Sequence, residues 1–127
     1  MINDFFDDTE MKTCELQQLM DSISEWSDKT FGESQRNPAI LYHLLKEIPE
    51  LIEAIKELQK LEHANNDIFE KVFFEYADCF MLLLDSASHI GISAKTLLRY
   101  TKKKLEINKK RKWREPDKNG VVEHIKE

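Results

Sequence analysis

The sequence predicts an all-α protein, a four-helix bundle that works as an oligomer. Three observations predict the helices. Only three Gly and three Pro occur in 127 residues. Long stretches contain neither, and apolar residues recur at helical spacing. This length suits one domain over residues 1–127, with 1–8 and 114–127 as arms. The oligomer follows from an amphipathic first helix and an apolar third one, more apolar surface than four such helices cover.

The first helix is expected over 9–27, with Leu16, Leu19, Met20, Ile23 and Trp26 at helical spacing. Trp26 reads more readily as core than as a ligand contact. A loop follows over 29–37. Asn37 then suits an N-cap and Pro38 a first helical residue. The second helix runs to about residue 62, carrying Ile40, Leu44, Ile48, Leu51, Ile55 and Leu58. Pro49 lies inside it, so a kink or a division into two segments is expected there. Asp67, with Glu70 three later, opens a third helix. Its middle is apolar all round, which predicts a central, buried helix ended by Gly91. Ser93 caps the fourth, over 94–113, and the tail from Arg114 reads as a surface arm.

No run of about 18 apolar residues lacks charge, so no membrane span is expected. The acidic opening, Met-Ile-Asn-Asp-Phe-Phe-Asp-Asp, lacks the basic start of a secretion signal. Cys14 and Cys79 are too few for a disulfide framework. These features predict a reduced, cytoplasmic setting, with Cys79 packed as a small hydrophobe.

Charge is unevenly divided. Residues 1–94 carry 7 basic and 19 acidic side chains, and residues 95–114 carry 10 and 1. A nucleic-acid backbone would be repelled by most of this surface, which argues against a nucleic-acid partner.

Within the apolar run 72–84, Glu75 and Asp78 are the only charges. They share a helical face, and no Lys or Arg in the run can pair with them. Buried carboxylates without partners cost several kcal/mol or lose their charge. A bound cation is the natural compensation. Upstream, Glu47 and Glu50 form one of seven acid pairs at this spacing. In an antiparallel hairpin, Glu47 falls level with Asp78 and Glu50 with Glu75. Four carboxylates facing one another suit Mg²⁺, with Mn²⁺ as the alternative. A di-iron bundle needs Glu-x-x-His pairs, and no His here has an acid three residues before it.

On the basic helix Lys104, Asn108 and Arg111 share one face and could bind phosphate oxygens. Lys102, Lys103, Lys109 and Lys110 read as solvent-facing. Phe31 and Gln35 stand beside Gly32 in the loop, where an aromatic could stack on a base and an amide could read its edge. His43, four residues before Glu47, could touch a ligand or orient that carboxylate.

Taken in order, these motifs resemble the MazG-like all-α nucleoside triphosphate pyrophosphohydrolases. The similarity covers roughly residues 26–127. It rests on Trp26…Phe31-Gly32, His43-Leu-Leu-Lys-Glu47, Glu50, Glu75-Tyr-Ala-Asp78, Gly91-Ile-Ser93, the Lys104…Asn108…Arg111 series and Glu123-His-Ile-Lys126. It is strongest for the small bacterial and phage dATP/dGTP branch. Lys46 departs from the acid common in such chains. The resemblance implies Mg²⁺-dependent hydrolysis of a nucleoside triphosphate to the monophosphate and pyrophosphate, with water attacking the α-phosphorus. It also implies a homodimer or a homotetramer built of dimers. The alternatives are the same chemistry on dUTP, dCTP or a modified nucleotide, and a non-catalytic helical interaction or nucleic-acid-binding module.

Overall fold

The computed structural model describes residues 8–33, 37–63 and 65–126, with side chains described from Thr13. It is all-helical: α1 Asp8–Phe31, α2 Ala39–Lys60, α3 Asn66–His89 and α4 Ala94–Lys110. No helix among the described residues is long and apolar enough to cross a membrane. Two units are distinguished, one ending at Ala94 and one spanning Lys95–Glu127.

In the first unit α3 packs against both α1 and α2. The core is small and comes from all three: Met20 and Ile23 on α1, Ile40, Leu51 and Ala54 on α2, Val72 and Leu84 on α3. The first helix continues past residue 27 to Phe31. It stops where Gly32 takes a φ of 95° and donates its amide to the Asp28 carbonyl at 2.9 Å. A residue with a Cβ is disfavoured there.

The second helix runs unbroken through Pro49, so the expected division into two segments does not occur. Asn37 does not cap it, because Pro38 stands at the cap without a side-chain bond. Instead, Asn37 Nδ2 donates to the Ser86 carbonyl at 2.9 Å. The Ser86 hydroxyl donates back to Asn37 Oδ1 at 2.8 Å. This exchange ties the start of α2 to the last part of α3.

The third helix is capped by Asn65, not Asp67: its Oδ1 accepts from the Ile68 amide at 3.0 Å. At the other end Gly91, with φ 81°, donates to Ser88 O at 3.0 Å, and Ile92 donates to Ala87 O at 3.0 Å. That pair of bonds is the Schellman closure, in which a left-handed glycine satisfies the last carbonyls. The expectation of a wholly buried α3 fails. Phe73, Phe74, Tyr76, Phe80 and Leu83 are each about half exposed or more. The reason is geometric: within the unit α1 and α2 pack against α3, and two helices do not surround a third.

The fourth helix starts where expected and ends at Lys110, short of Trp113. The amide of Ala94 donates to Gln17 Oε1 of α1 at 2.7 Å, satisfying one of the donors a helix start leaves open. In the second unit, the tail doubles back on itself. Arg114 N donates to Glu123 O at 2.8 Å and Ile125 N to Lys112 O at 2.7 Å. Trp113 meets His124 edge to face, ring centres 5.9 Å apart.

A polar network crosses the first unit from α1 to α3. His89 Nε2 donates to Asp28 Oδ1 at 2.8 Å. Its Nδ1 lies 2.8 Å from the Asp85 carbonyl and 3.0 Å from Asp85 Oδ1. The Ser27 hydroxyl donates to that same Oδ1 at 3.1 Å. Acceptors at both ring nitrogens favour the doubly protonated imidazole. Burial, the largest single influence, lowers the His89 pKa; the bonds and charges of Asp28 and Asp85 together outweigh it and raise the value.

A raised histidine contributes stability that is complete below the unfolded value of 6.5 and is lost as pH rises through the higher folded value. Replacing His89 with Gln is therefore expected to cost on the order of 3 kcal/mol in mildly acidic buffer. Thermal melts of both proteins from about pH 6 to about pH 9 test this. The gap between them narrows as pH climbs; a constant or widening gap contradicts the assignment.

Candidate functional site

Three helical stripes in the first unit enclose a cavity of about 430 Å³. From α1 come Ile23, Trp26 and Phe31, from α2 Ile40, His43 and Glu47, and from α3 Asp78, Leu82 and Asp85. Each set recurs at three- to five-residue steps, so each is one face of its helix. Apolar walls carrying a few convergent polar groups are the usual form of a small-molecule site.

The acids meet at one end. Glu47, Glu75 and Asp78 each present one carboxylate oxygen, and these oxygens lie within 4.8 Å of one another. This agrees with the hairpin register: Glu47 on α2 reaches the level of Asp78. Glu50 stands outside the trio. It hydrogen-bonds Glu47 and shares a second depression with Pro49, Glu53, Lys71 and Glu75.

The electrostatics are those of crowded anions. Glu47 is raised above the ordinary carboxylate range, first by the hydrogen bond with Glu50, then by burial and the Glu50 charge. His43 counteracts this from 3.1 Å. Burial pushes the Cys79 thiol up, and the charges of Glu47, Asp78, Glu75 and Glu50 push it further.

Apart from His43 beside Glu47, no described Lys or Arg forms an ion pair with these acids. Among the described residues, Lys29, Lys56, Lys71 and Lys109 form ion pairs with Glu25, Glu53, Glu57 and Glu106 instead. Glu75 Oε2 is buried with no hydrogen-bond partner. A buried acceptor left in that state costs about 1–3 kcal/mol, more when charged. Three converging carboxylates, one of them carrying an unpartnered buried oxygen, fit a hard divalent cation.

Trp26 corrects the expectation of a core residue. It is 53% exposed, lines the cavity and stands edge to face with Phe31, ring centres 5.5 Å apart. Position 26 has the spacing of a core residue, but it lies on the edge of the buried stripe formed by Met20, Ile23 and Ser27. Phe31 and His43 both line the cavity. Gln35 lies outside the described residues.

On α4 the expected face can be described within its own unit. Arg111 Nη1 donates to Asn108 Oδ1 at 3.3 Å, and both residues are half-buried. Lys104, one turn earlier, is exposed, as are Lys102, Lys103, Lys109 and Lys110. Lys103 sits over the Tyr100 ring at 4.9 Å and Lys109 pairs with Glu106 at 3.0 Å.

Sequence reasoning missed Ser27, Asp28, Asp85 and His89. One signal was available: Asp78, Asp85 and His89 are spaced by seven and four, which places them on one face of α3.

Comparison with known proteins identifies the family. Residues 19–127 match the family described as dATP/dGTP pyrophosphohydrolase. The Eaa protein of Salmonella phage P22 is 37% identical over 104 residues, covering 82% of this chain. The chain spans only 28% of the length of that relative. No solved structure matches. The family match takes in all four acids, the cavity walls and the basic helix, and by it the chain belongs to the dATP/dGTP pyrophosphohydrolase family, a family of hydrolases acting on acid anhydrides.

Proposed function

We propose that this protein hydrolyses a purine deoxynucleoside triphosphate to the monophosphate and pyrophosphate, using Mg²⁺ or Mn²⁺. The observation that carries the reading is the orphaned buried oxygen of Glu75 among carboxylates that converge at one end of a nucleotide-sized cavity. Glu47, Glu75 and Asp78 would hold the cation. When bound, it would supply Lewis-acid polarisation of a phosphoryl oxygen and a more acidic water.

The chain's own residues have distinct tasks in this scheme. Trp26 and Phe31 offer aromatic faces to the base. His43 orients Glu47 through their 3.1 Å contact. The hydrogen-bonded Glu47–Glu50 pair is a place to leave the proton that the attacking water gives up. Water oxygen bonds to the α-phosphorus, the bridge to the β-phosphorus breaks, and pyrophosphate departs with the bridging oxygen. Lys104 and Asn108 of α4 and Arg111 just past its end are the proposed phosphate-binding residues.

Assembly is part of the proposal. Phe69, Phe73, Tyr76, Phe80 and Leu83 of α3 are exposed and spaced alternately four and three apart. Leu41, Leu45, Ile48 and Ile52 of α2 are exposed in the same rhythm. Such spacing is that of helices packing knobs into holes. Two copies laying these stripes together would form a closed C₂ dimer, which in turn can pair into a tetramer.

Turnover should vanish in Glu75→Gln and Asp78→Asn while far-UV circular dichroism stays helical. Without cation the Glu75→Gln protein should melt no lower than wild type, because a crowded charge has gone. Wild-type pyrophosphate release in saturating chelator would defeat the metal reading.

Arg111→Ala should lower kcat/KM by about 10- to 150-fold, the equivalent of one charge-assisted contact of about 1.5–3 kcal/mol. Lys102→Ala and Lys110→Ala should change it little, since exposed charges contribute little. Equal losses at all three positions, with tight, salt-sensitive DNA or RNA binding and no nucleotide turnover, would favour a nucleic-acid binder.

Light scattering at micromolar concentration is expected to give at least twice the 15.0 kDa chain mass. Phe73→Asp should halve it. A wild-type monomer would refute the assembly.

A further inference from the structure

The apolar core of the first unit stops short of the aromatic wall of the cavity. Among the described residues, the buried side chains of α1 are Met20, Ile23 and Ser27. Trp26 and Phe31, which bring two aromatic rings to the cavity, are each about half exposed. Apolar burial therefore does little to set their distance from α3. Polar bonds do it instead. Ser27 donates to Asp85 Oδ1 at 3.1 Å, and His89 of α3 donates to Asp28 Oδ1 at 2.8 Å. Asp28 lies between Trp26 and Phe31 in the last turns of α1. A shift of Asp28 carries both rings with it, because a helix moves as a rigid rod over one turn.

His89 holds both helices only as the doubly protonated ring. Nε2 then donates to Asp28, and Nδ1 donates to the Asp85 carbonyl at 2.8 Å and to Asp85 Oδ1 at 3.0 Å. A neutral imidazole keeps a single N–H. Nδ1 faces two oxygens and Nε2 one, so the remaining hydrogen is best kept at Nδ1. Nε2 then turns a lone pair towards Asp28, and the bond between the helices becomes a repulsion.

Among the described residues, the charged groups that act on His89 are Asp28 from α1 and Asp85 from its own helix. Lys29, next to Asp28, pairs with Glu25. The start of α2 contributes the neutral Asn37, bonded to Ser86. His43 and Glu47 of α2 line the same cavity but bond each other. Burial lowers the His89 pKa, and the two carboxylates outweigh it and raise the value above 6.5. The ring therefore gives up its proton on the alkaline side. Eleven helical residues separate His89 from Asp78, an axial rise of about 16.5 Å. A change at His89 is thus remote from the acid cluster and close to the aromatic wall.

We propose that His89 is a positioning residue of the cavity: with both ring nitrogens protonated it fastens the aromatic end of α1 to α3, and so sets how well the cavity holds a base without entering the chemical step. The effect on substrate rests on the nucleotide reading given above. The inference goes beyond that reading by assigning the residue, and the proton, that hold the base-binding wall in place.

Two readouts test it in the whole chain. The first needs no nucleotide. Trp113→Phe leaves Trp26 as the sole tryptophan of the two. Its emission, followed from about pH 6 to about pH 9, should show a transition with its midpoint above 6.5. Adding Asp28→Asn should remove that transition, since an amide can accept from Nε2 or donate to it and holds the ring in either state. The second readout is steady-state hydrolysis of dATP and dGTP with Mg²⁺. Wild-type KM should rise about 2- to 10-fold across the same transition, the range of one net hydrogen bond. In Asp28→Asn KM should stay flat, while the kcat profiles of the two proteins run parallel. Emission and KM that ignore alkaline pH in the wild type, or that respond identically in Asp28→Asn, would overturn the inference. So would a variant that melts lower yet keeps the wild-type KM profile, which would show a merely structural network. Should the wild type turn over neither nucleotide, the nucleotide reading falls, and the Trp26 titration still decides whether His89 holds the wall.

Discussion

Repulsion among carboxylates organises this molecule. Glu47, Glu75 and Asp78 converge within 4.8 Å, with Glu50 bonded to the first of them. Left alone, such a group either gives up charge or drives its helices apart. The fold keeps them together by packing α2 against α3, and the crowding raises Glu47 above the ordinary carboxylate range. An acid pair on an exposed helix face needs nothing of this kind. In the proposed reading a divalent cation would supply the opposite charge, and the proposed phosphate chemistry follows from that.

The third helix answers to several partners at once. Around its circumference it gives Glu75, Asp78 and Asp85 to the acid cluster and cavity and Val72 and Leu84 to the core. It also shows solvent an aromatic stripe. Its apolar composition looks like that of a central helix, yet two neighbours cannot cover it. The surplus of aromatic surface is unusual for a solitary soluble chain and is explained economically if a second copy covers it.

What could be read in the sequence was whatever depends on local spacing. The four helices, the Glu47–Asp78 register and the stop at Gly91 follow from periodicity and from glycine's freedom at positive φ. What escaped depends on partners far apart in the chain. Asn37 has the chemistry of a cap, but Ser86, forty-nine residues away, offers it a better geometry. Asp67 and Asn65 are both plausible caps, and a difference of two residues is below what local preference resolves. Trp26 lies on the fringe of a buried stripe, where a shift of one helical position separates core from cavity. The Asp28–His89–Asp85–Ser27 network is bonded across two helices by pairs 58 and 61 residues apart. No window along the chain contains it.

The reciprocal bonds between Asn37 and Ser86 have a mechanical meaning. The α2–α3 hairpin is closed covalently at its turn, near residues 61–65, and the Asn37–Ser86 exchange fastens its open end. The acids sit between the two fastenings. The hairpin thus resembles a spring clip held shut at both ends with like charges pressed inside it. Fastened at both ends, its limbs resist being driven apart by that repulsion. A cation bound as proposed would find its ligands already gathered and would offset that repulsion without any part of the hairpin having to close.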